Sequence, residues 1–349
     1  MKALIDEWEG EDVIVRFDEK TGAWIFVALH SSALGIPTGG TRMMTYGSPT
    51  DALQDAMKLS EAMTRKWALV DFPRGGAKAV LHVPGDLGPI DRRGLVIRYG
   101  DFVEKLGGRF ETGADLGMSA RDMNDLGART RYVCGTTPDV GGAGEAGIFT
   151  ARGVFYSMLA TAEYIWGTRD LTGKSVLVQG LGNVGMHLVG LLCEIGVTVK
   201  VSDLEPERVR ESMQLGEVEY VPADNVYGAE CDIFAPCATG GTLNLATIPQ
   251  LQCRAVVGAA NNQLASSEDA ELLRERGIVY APDYVTNAGA AIALPALERM
   301  GWRPEKVWQR LRGIGEVLLD IYDEAARLEI TTMAVAHRMA QARIDQARS

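Results

Sequence analysis

Apolar and polar residues alternate near the start of the chain. In "DVIVRFDEKTGAWIFVALH", Val13, Val15 and Phe17 fall on one face at the period of a strand and "EKTG" supplies a turn, a pattern that predicts a β-hairpin. The period then lengthens. "SPTDALQDAMKLSEAMTRKW" opens with Ser48 as a helix N-cap, Pro49 at the first helical position and Asp51 three residues after the serine, close to a capping box. Leu59 and Met63 recur at helical spacing, which puts Lys66 on or beside the buried stripe. In "DFPRGGAKAVLHV", Lys78 stands behind two glycines and ahead of an apolar run, as though a loop entered a buried strand there. "LVIRYGDFVEKLG" has the period of an amphipathic helix, and "GRFETGADLG" reads as a short strand running into a loop that carries Asp115.

The glycine-rich "GGAGEAG" over 141–147 marks a hinge between two parts of the chain. From about Gly153 helix and strand patterns alternate: "GVFYSMLATAEYIWG", "KSVLVQG", "NVGMHLVGLLCEIG", "VTVKVSD". Such alternation predicts a doubly wound parallel sheet. Further strands are expected at "CDIFAPC", "RAVVGAA" and "IVYAPDY", with helices from about Pro295 to the end, and there is no internal repeat or low-complexity segment.

Composition narrows the picture. The chain has 349 residues, enough for two domains, and is 46% apolar and 23% charged. No run approaches the roughly 18 apolar residues of a transmembrane helix, so no membrane association is expected. The acidic start "MKALIDEWEGED" lacks a secretory pattern, which suggests a cytoplasmic protein. Five cysteines without a C-x-x-C pair suit reduced thiols, and the dispersed histidines declare no metal site. A net charge of −11 disfavours nucleic acid as a partner, although a local basic patch could still hold a small anion.

"VLVQGLGNVG" places Gly180, Gly182 and Gly185 in G-x-G-x-x-G register between an apolar strand and a helix, with Asn183 and Val184 inside the fingerprint. The first glycine allows a tight turn, the second lets backbone approach a pyrophosphate, and the third lets helix and sheet pack closely. Asp203 stands 18 residues past Gly185, where a carboxylate accepts hydrogen bonds from the adenine ribose and disfavours a 2′-phosphate. NAD is therefore expected over NADP, with Arg208 the one nearby group able to reach a 2′-phosphate. Lys66, Lys78 and Asp115 taken singly are an ordinary helix-end lysine, a surface lysine and a turn aspartate. Partial burial of Lys78 beside a second ammonium would nonetheless lower its pKa toward the range of a general base.

"PTGGTRMMTY", "AMTRKWALVDFPRGGAKAVL", "TGADLGMSARDM", "VQGLGNVG", "DIFAPCATGGTLN", "GAANNQLA" and "YAPDYVTNAGAAI" together resemble the glutamate/leucine/phenylalanine/valine dehydrogenase family, in order and over nearly the whole chain. The resemblance implies an α/β fold of two domains. An N-terminal α/β substrate-binding and oligomerisation domain would span 1–135, rejoined by 326–349, and a Rossmann NAD-binding domain would span 150–325, with a hinge at 136–149. It implies reversible oxidative deamination of an L-amino acid to a 2-oxo acid and ammonia by a homo-oligomer that closes about its hinges. Lys66 would bind the substrate carboxylate, helped by Asn261. Lys78 would be the base that activates water, and Asp115 would shuttle protons to the amine. Gly39 and Gly40 would let backbone approach the substrate, Asn287 would lie near the nicotinamide, and Cys237 and Ala238 would line the cofactor cleft.

Glutamate-specific members carry a lysine before the glycine pair and a serine on a late helix, where this chain has Thr38 and Leu294. A buried γ-carboxylate would then be unpaired, so an apolar pocket walled by Met63, Ala291 and Leu294 is expected. "PTGGTR" and "NAGAAIAL" resemble phenylalanine-specific members, and the small Thr38 would enlarge the pocket, so phenylalanine is expected, with leucine, valine or tryptophan as alternatives. Trp67, Glu145 and Ala290 depart from the family pattern without removing a catalytic group. A non-catalytic NAD-binding regulator would not need both lysines, Asp115 and Asn261. A 2-hydroxy-acid dehydrogenase would want a histidine acid–base, and an amine dehydrogenase would have no carboxylate for Lys66 to bind.

Overall fold

A computed structural model describes residue 5 and residues 8–348 and divides the chain into two compact units. The first runs to Glu145 and includes Leu297–Gly301 and the segment from Ala340; the second comprises Ala146–Ala296 and Trp302–Met339.

In the first unit β1 (Asp12–Asp18) and β2 (Ala23–Ser31) form the expected hairpin, with Asp18 opposite Ala23 across the "EKTG" turn. Gly22 has φ 70°, a left-handed conformation that glycine adopts without strain. There follow β3 (Pro37–Thr38), β4 (Thr41–Met44), α1 (Pro49–Leu69), β5 (Gly75–His82), α2 (Pro89–Lys105) and α3 (Ala120–Gly127). The sheet order is β1-β2-β5-β3, with β4 also on β5; β5 runs antiparallel to β2 and parallel to β3 and β4. Alternation then sorts the side chains of β5. Ala77, Ala79 and Leu81 join Leu95, Val96, Tyr99 and Val103 of α2 in one core, whereas Val80 packs with Leu53, Ala56 and Met57 of α1 on the other face. Lys78 shares the α1 face with Val80.

Several expectations change here. Val15 and Phe17 do share a face, but it is the exposed face of an edge strand. Ser48 caps α1 by accepting from Asp51 N at 3.2 Å. The buried stripe of α1 runs through Leu53, Met57, Ser60, Thr64 and Trp67, while Leu59 and Met63 are half-buried on its flank. Helix packing needs small or matching side chains against the sheet, and Ser60 and Thr64 meet that need better than Leu59. The stretch 110–115 forms single bridges, Glu111 to Thr38 and Ala114 to Thr41, because Thr112 turns away to pair with Val133.

The second unit is a parallel sheet in the order β11-β10-β9-β6-β7-β8. Its strands are β6 (Ser175–Gln179), β7 (Thr198–Ser202), β8 (Val218–Tyr220), β9 (Ile233–Pro236), β10 (Ala255–Val256) and β11 (Val279–Tyr280). Its helices are α4 (Ala146–Trp166), α5 (Asn183–Glu194), α6 (Pro206–Ser212), α7 (Asp269–Glu275), α8 (Asp283–Thr286), α9 (Gly289–Glu298) and α10 (Pro304–Leu328); α11 (Thr332–Arg348) closes the chain. The late helical run thus begins at Gly289, with Pro295 inside α9 rather than at its start, and α4 begins at Ala146, within the segment expected as a hinge.

Residues 326–339 belong to the second unit, not to the first as expected. Packing accounts for this: α10 lies on α4, where Tyr322 and Thr161 share a hydrogen bond of 2.8 Å, and Thr332 donates to the Tyr280 carbonyl at 2.7 Å. From Ala340 the chain returns to the first unit, and Arg343 donates to the Ala68 carbonyl at 2.9 Å and to that of Leu69, capping the last turn of α1. Leu297–Gly301 is pinned there too. Glu298 accepts from Gly135 N at 2.9 Å and Ala143 N at 2.9 Å, and Arg299 reaches the buried Glu111 at 3.2 Å.

Candidate active site

The glycines before Lys78 have a packing reason. A Cβ on Gly76 would stand 1.9 Å from Thr64 Oγ1, and one on Gly75 would stand 2.2 Å from the Ser31 carbonyl oxygen. Glycine there lets α1 lie directly on the start of β5, and Lys78 is drawn beneath the helix. Lys78 is buried, and its ammonium lies 2.7 Å from Asp115 Oδ2. Burial pushes the Lys78 pKa below the ordinary lysine value and outweighs the opposing pull of Asp115. Burial would raise the Asp115 carboxyl, but the Lys78 and Arg42 charges dominate and bring it down to about 2.

Asp115 is placed by backbone: its N–H donates to the Thr41 carbonyl at 3.1 Å, and Gly117, at φ 78°, would put a Cβ 1.8 Å from the Met43 carbonyl oxygen. Strand β4 therefore lies between β5 and the Asp115 segment. Arg42, on β4, donates from Nε to the same Asp115 Oδ2 at 3.1 Å and from Nη1 to Asp55 Oδ2 at 2.9 Å, and the Tyr46 hydroxyl donates to that Asp55 oxygen at 2.6 Å. Arg42 thus brings a guanidinium to the same carboxylate oxygen that the Lys78 ammonium reaches.

Gly39 and Gly40 answer to the fold before any ligand, since a Cβ on Gly39 would stand 1.7 Å from the Ala77 carbonyl oxygen and one on Gly40 3.0 Å from Asp115 Cβ. Thr38 is buried and its hydroxyl donates to the Ile36 carbonyl at 2.9 Å. Trp67, noted above as a departure, is the largest fully buried side chain of the unit; its indole donates to the Thr38 carbonyl at 3.0 Å and so props the strand before the glycine pair. Lys66 is half-buried in the last turn of α1, as is Met63 one turn earlier.

In the second unit the cofactor fingerprint has the form that a bound pyrophosphate requires. Gly180 has φ 97°, and its missing side chain makes room for Ala238 at 2.7 Å; Gly185 packs its Cα on the Gly180 carbonyl, where a Cβ would stand 1.9 Å away. Nothing lies within 4 Å of a Cβ built on Gly182, so this glycine faces open space at the N-terminus of α5. The residues fit a dinucleotide. Asn183 is exposed at the first helical position, its side chain against Gly147, and Val184 is half-buried. Asp203 closes the loop by accepting from Leu181 N at 2.6 Å and Glu205 N at 2.8 Å, with Arg208 3.9 Å away. Burial raises the Cys237 thiol to about 12, which suits a lining residue and not a nucleophile.

Asn287, at the end of α8, donates to Asn261 Oδ1 at 2.8 Å and to the Ala259 carbonyl at 3.3 Å, which fixes the exposed Asn261 amide. Ala291 and Leu294 are half-buried on one face of α9. The Ala290 departure costs the fold nothing, because it lies in regular helix; the close approach is at Gly289, where a Cβ would stand 2.0 Å from the Phe149 carbonyl oxygen. A separate cavity of about 340 Å³ in this unit, lined by Tyr164, Tyr280 and Tyr322, includes none of these residues. Among the described residues no group of His, Cys, Asp or Glu could hold a metal ion, and no helix is long and apolar enough to cross a membrane.

A model of the Glu/Leu/Phe/Val dehydrogenase dimerisation domain matches residues 14–137, and the Glutamate/Leucine/Phenylalanine/Valine dehydrogenase model matches 141–212 and 200–349. The chain belongs to this family. Phenylalanine dehydrogenase of Lysinibacillus sphaericus is 40% identical over 341 residues, covering 96% of this chain and 88% of that protein. Leucine dehydrogenase of Geobacillus stearothermophilus is 38% identical over 344 residues, covering 99% and 93%. Among solved structures, L-tryptophan dehydrogenase from Nostoc punctiforme superposes with a TM-score of 0.86 at 36% identity, covering 100% of this chain and 99% of that one. The protein is thus an amino-acid dehydrogenase of the Glu/Leu/Phe/Val family, an oxidoreductase that uses a nicotinamide cofactor. Relatives named for three different amino acids stand at similar distance, so membership alone leaves the substrate open.

Proposed function

We propose that the protein catalyses the reversible, NAD-dependent oxidative deamination of a hydrophobic L-amino acid, phenylalanine in preference to leucine, valine or tryptophan. The observation that carries the chemistry is the Lys78–Asp115 pair at 2.7 Å, a buried amine whose pKa is lowered beside an ionised carboxylate. Net, the amino acid, NAD⁺ and water give the 2-oxo acid, ammonium, NADH and a proton. A bound nicotinamide would supply the acceptor for the hydride lost from the substrate α-carbon. Lys78 in its neutral form takes a proton from the attacking water. Asp115, sharing its Oδ2 with two cations, receives and returns protons at the substrate nitrogen. Lys66 is the cation for the substrate carboxylate, and Asn261 and Asn287 serve substrate and nicotinamide in the second unit.

Gly180, Gly182, Asn183, Val184 and Gly185 would hold the pyrophosphate, with Cys237 and Ala238 beside them. The nearly buried Asp203 supports NAD: it is anchored by two backbone amides, and a 2′-phosphate would meet its negative charge. Thr38 supports phenylalanine over leucine, because a short side chain held on its own backbone fills less of the space before the glycine pair. Met63, Ala291 and Leu294 offer no cation to a glutamate side chain. We further propose that the protein works as a homo-oligomer assembled through the first unit, the part matched by the dimerisation-domain model. Residues 1–145 with the C-terminal segment would then be the substrate and oligomerisation part, and the parallel-sheet unit the NAD-binding part.

The test is reductive amination of phenylpyruvate, 4-methyl-2-oxopentanoate, indolepyruvate and 2-oxoglutarate, each with NADH and with NADPH, followed by chiral analysis of the product. L-phenylalanine formed fastest, and with NADH, is expected. A preference for 2-oxoglutarate or for NADPH would overturn the corresponding half of the proposal.

A further inference from the structure

The site holds a charged residue that the deamination chemistry above does not use. Arg42 spans two carboxylates that belong to different elements, Asp115 in the segment beyond β4 at 3.1 Å and Asp55 on α1 at 2.9 Å. Its register explains the reach. Arg42 pairs with Val80 on β5, and Lys78 lies two residues earlier on the same face, so guanidinium and ammonium meet at one oxygen, Asp115 Oδ2. We propose that Arg42 is a positioning residue for the reaction: it holds the Asp115 carboxylate in place and in charge balance while Lys78 takes and returns its proton. The inference rests on the reading of Lys78 as the base.

With Lys78 protonated, the cluster has two cations and two carboxylates. When Lys78 is neutral, Asp115 is still paired, because Arg42 remains. Without Arg42 the same deprotonation would leave a half-buried carboxylate unpaired beside it, and Lys78 would hold its proton to avoid that cost. Arginine suits the task, since its charge is fixed and its fork reaches two acceptors at once. Burial works against that charge, but Asp115 and Asp55 outweigh it. Tyr46, pushed above its ordinary range by burial and by Asp55, stays a neutral donor and keeps Asp55 Oδ2 turned to Arg42. The groups that face Lys78 can be named by element: Asp115 from the loop, Arg42 from β4, Asp55 from α1, and the apolar Ala28 opposite it on β2. Asp115 and Asp55 favour its proton; Arg42 and burial oppose it.

The signs give a test that a merely structural ion pair would fail. The acidic limb of kcat/KM for deamination, with L-phenylalanine or L-leucine and NAD, reports the deprotonation of the free-enzyme base. Arg42→Gln should move that limb to higher pH by about one unit, so that activity at a fixed pH below the limb falls on the order of tenfold beyond any uniform loss. Arg42→Lys should bring it back most of the way. Asp55→Asn should move it to lower pH, and this variant decides the matter if Arg42→Gln does not fold. Profiles of Arg42→Gln and Asp55→Asn that are lowered at every pH but not displaced would overturn the inference and leave Lys78 as the base. Full activity in Lys78→Ala would instead remove the reading on which the inference rests.

Discussion

Lys78→Ala is the substitution whose effects can be worked out most fully. It removes a side chain that is 8% exposed and ion-paired at 2.7 Å. A positioned general base contributes about 10²–10⁴-fold, or roughly 3–5 kcal/mol of transition-state stabilisation. Breaking a buried ion pair costs about 3–5 kcal/mol when it leaves a charge unpaired. Here Asp115 keeps Arg42 at 3.1 Å, so the loss of stability should fall well below that range. Roughly 1–2 kcal/mol is expected, a drop in Tm of only several degrees. Cofactor affinity should change by less than about twofold, since the glycine loop belongs to the other unit and shares no ion-pair partner with Lys78 among the described residues. The assay is kcat for NAD-linked deamination alongside thermal unfolding and NADH titration by fluorescence. A variant that keeps more than about a tenth of the wild-type rate would refute the base assignment. If cofactor affinity fell in step with kcat, Lys78 would be a support of the fold and not a chemical group.

Acid stability should carry the signature of Asp115. Its carboxyl is lowered from 3.8 to about 2, so its contribution is fully present above about pH 4 and is lost as pH falls toward about 2. That shift is worth roughly 2 kcal/mol, and the stability difference between wild type and Asp115→Asn, followed by urea unfolding, should shrink over this window; a difference constant with pH would contradict the pairing. Lys78 has the same sign of dependence in a higher window: its lowered pKa makes its burial unfavourable at lower pH, a burden relieved as pH rises through the folded-state pKa toward 10.5. Asp203→Ser should loosen the loop amide of Leu181 and narrow the preference for NAD over NADP by at least about tenfold in kcat/KM, in keeping with the loss of a charged hydrogen bond. Thr38→Leu should shift kcat/KM from phenylalanine toward leucine by about 10–200-fold, the range that apolar pocket size commands, and an unchanged ratio would remove Thr38 from the pocket.

Local chemistry made some of this legible from sequence. The "EKTG" hairpin, the Ser48 cap and the strand–glycine–helix order at Gly180 each follow from a few neighbouring residues, and each is present. What was hidden depends on partners far along the chain. Strands β3 and β4 are two and four residues long and pair with β5, so Arg42 gave no sign in the sequence of meeting Lys78 at Asp115. The stripe of α1 was misplaced because Ser60 and Thr64 read as polar, yet Thr64 packs on Gly76 and its hydroxyl is hydrogen-bonded to His30 at 2.8 Å. The return of Leu297–Gly301 to the first unit turns on Glu298 and Arg299, whose partners lie more than 150 residues away.

The central claim is that a carboxylate-binding lysine and a buried lysine base act on a hydrophobic L-amino acid. It is tested most directly by comparing NAD reduction with L-phenylalanine, L-leucine, L-glutamate and 2-phenylethylamine, the last identical to phenylalanine but for the missing carboxylate. The account predicts rapid turnover of phenylalanine, slower turnover of leucine and almost none of glutamate or the amine. Turnover of 2-phenylethylamine at a rate near that of phenylalanine, or silence on every amino acid, would contradict it.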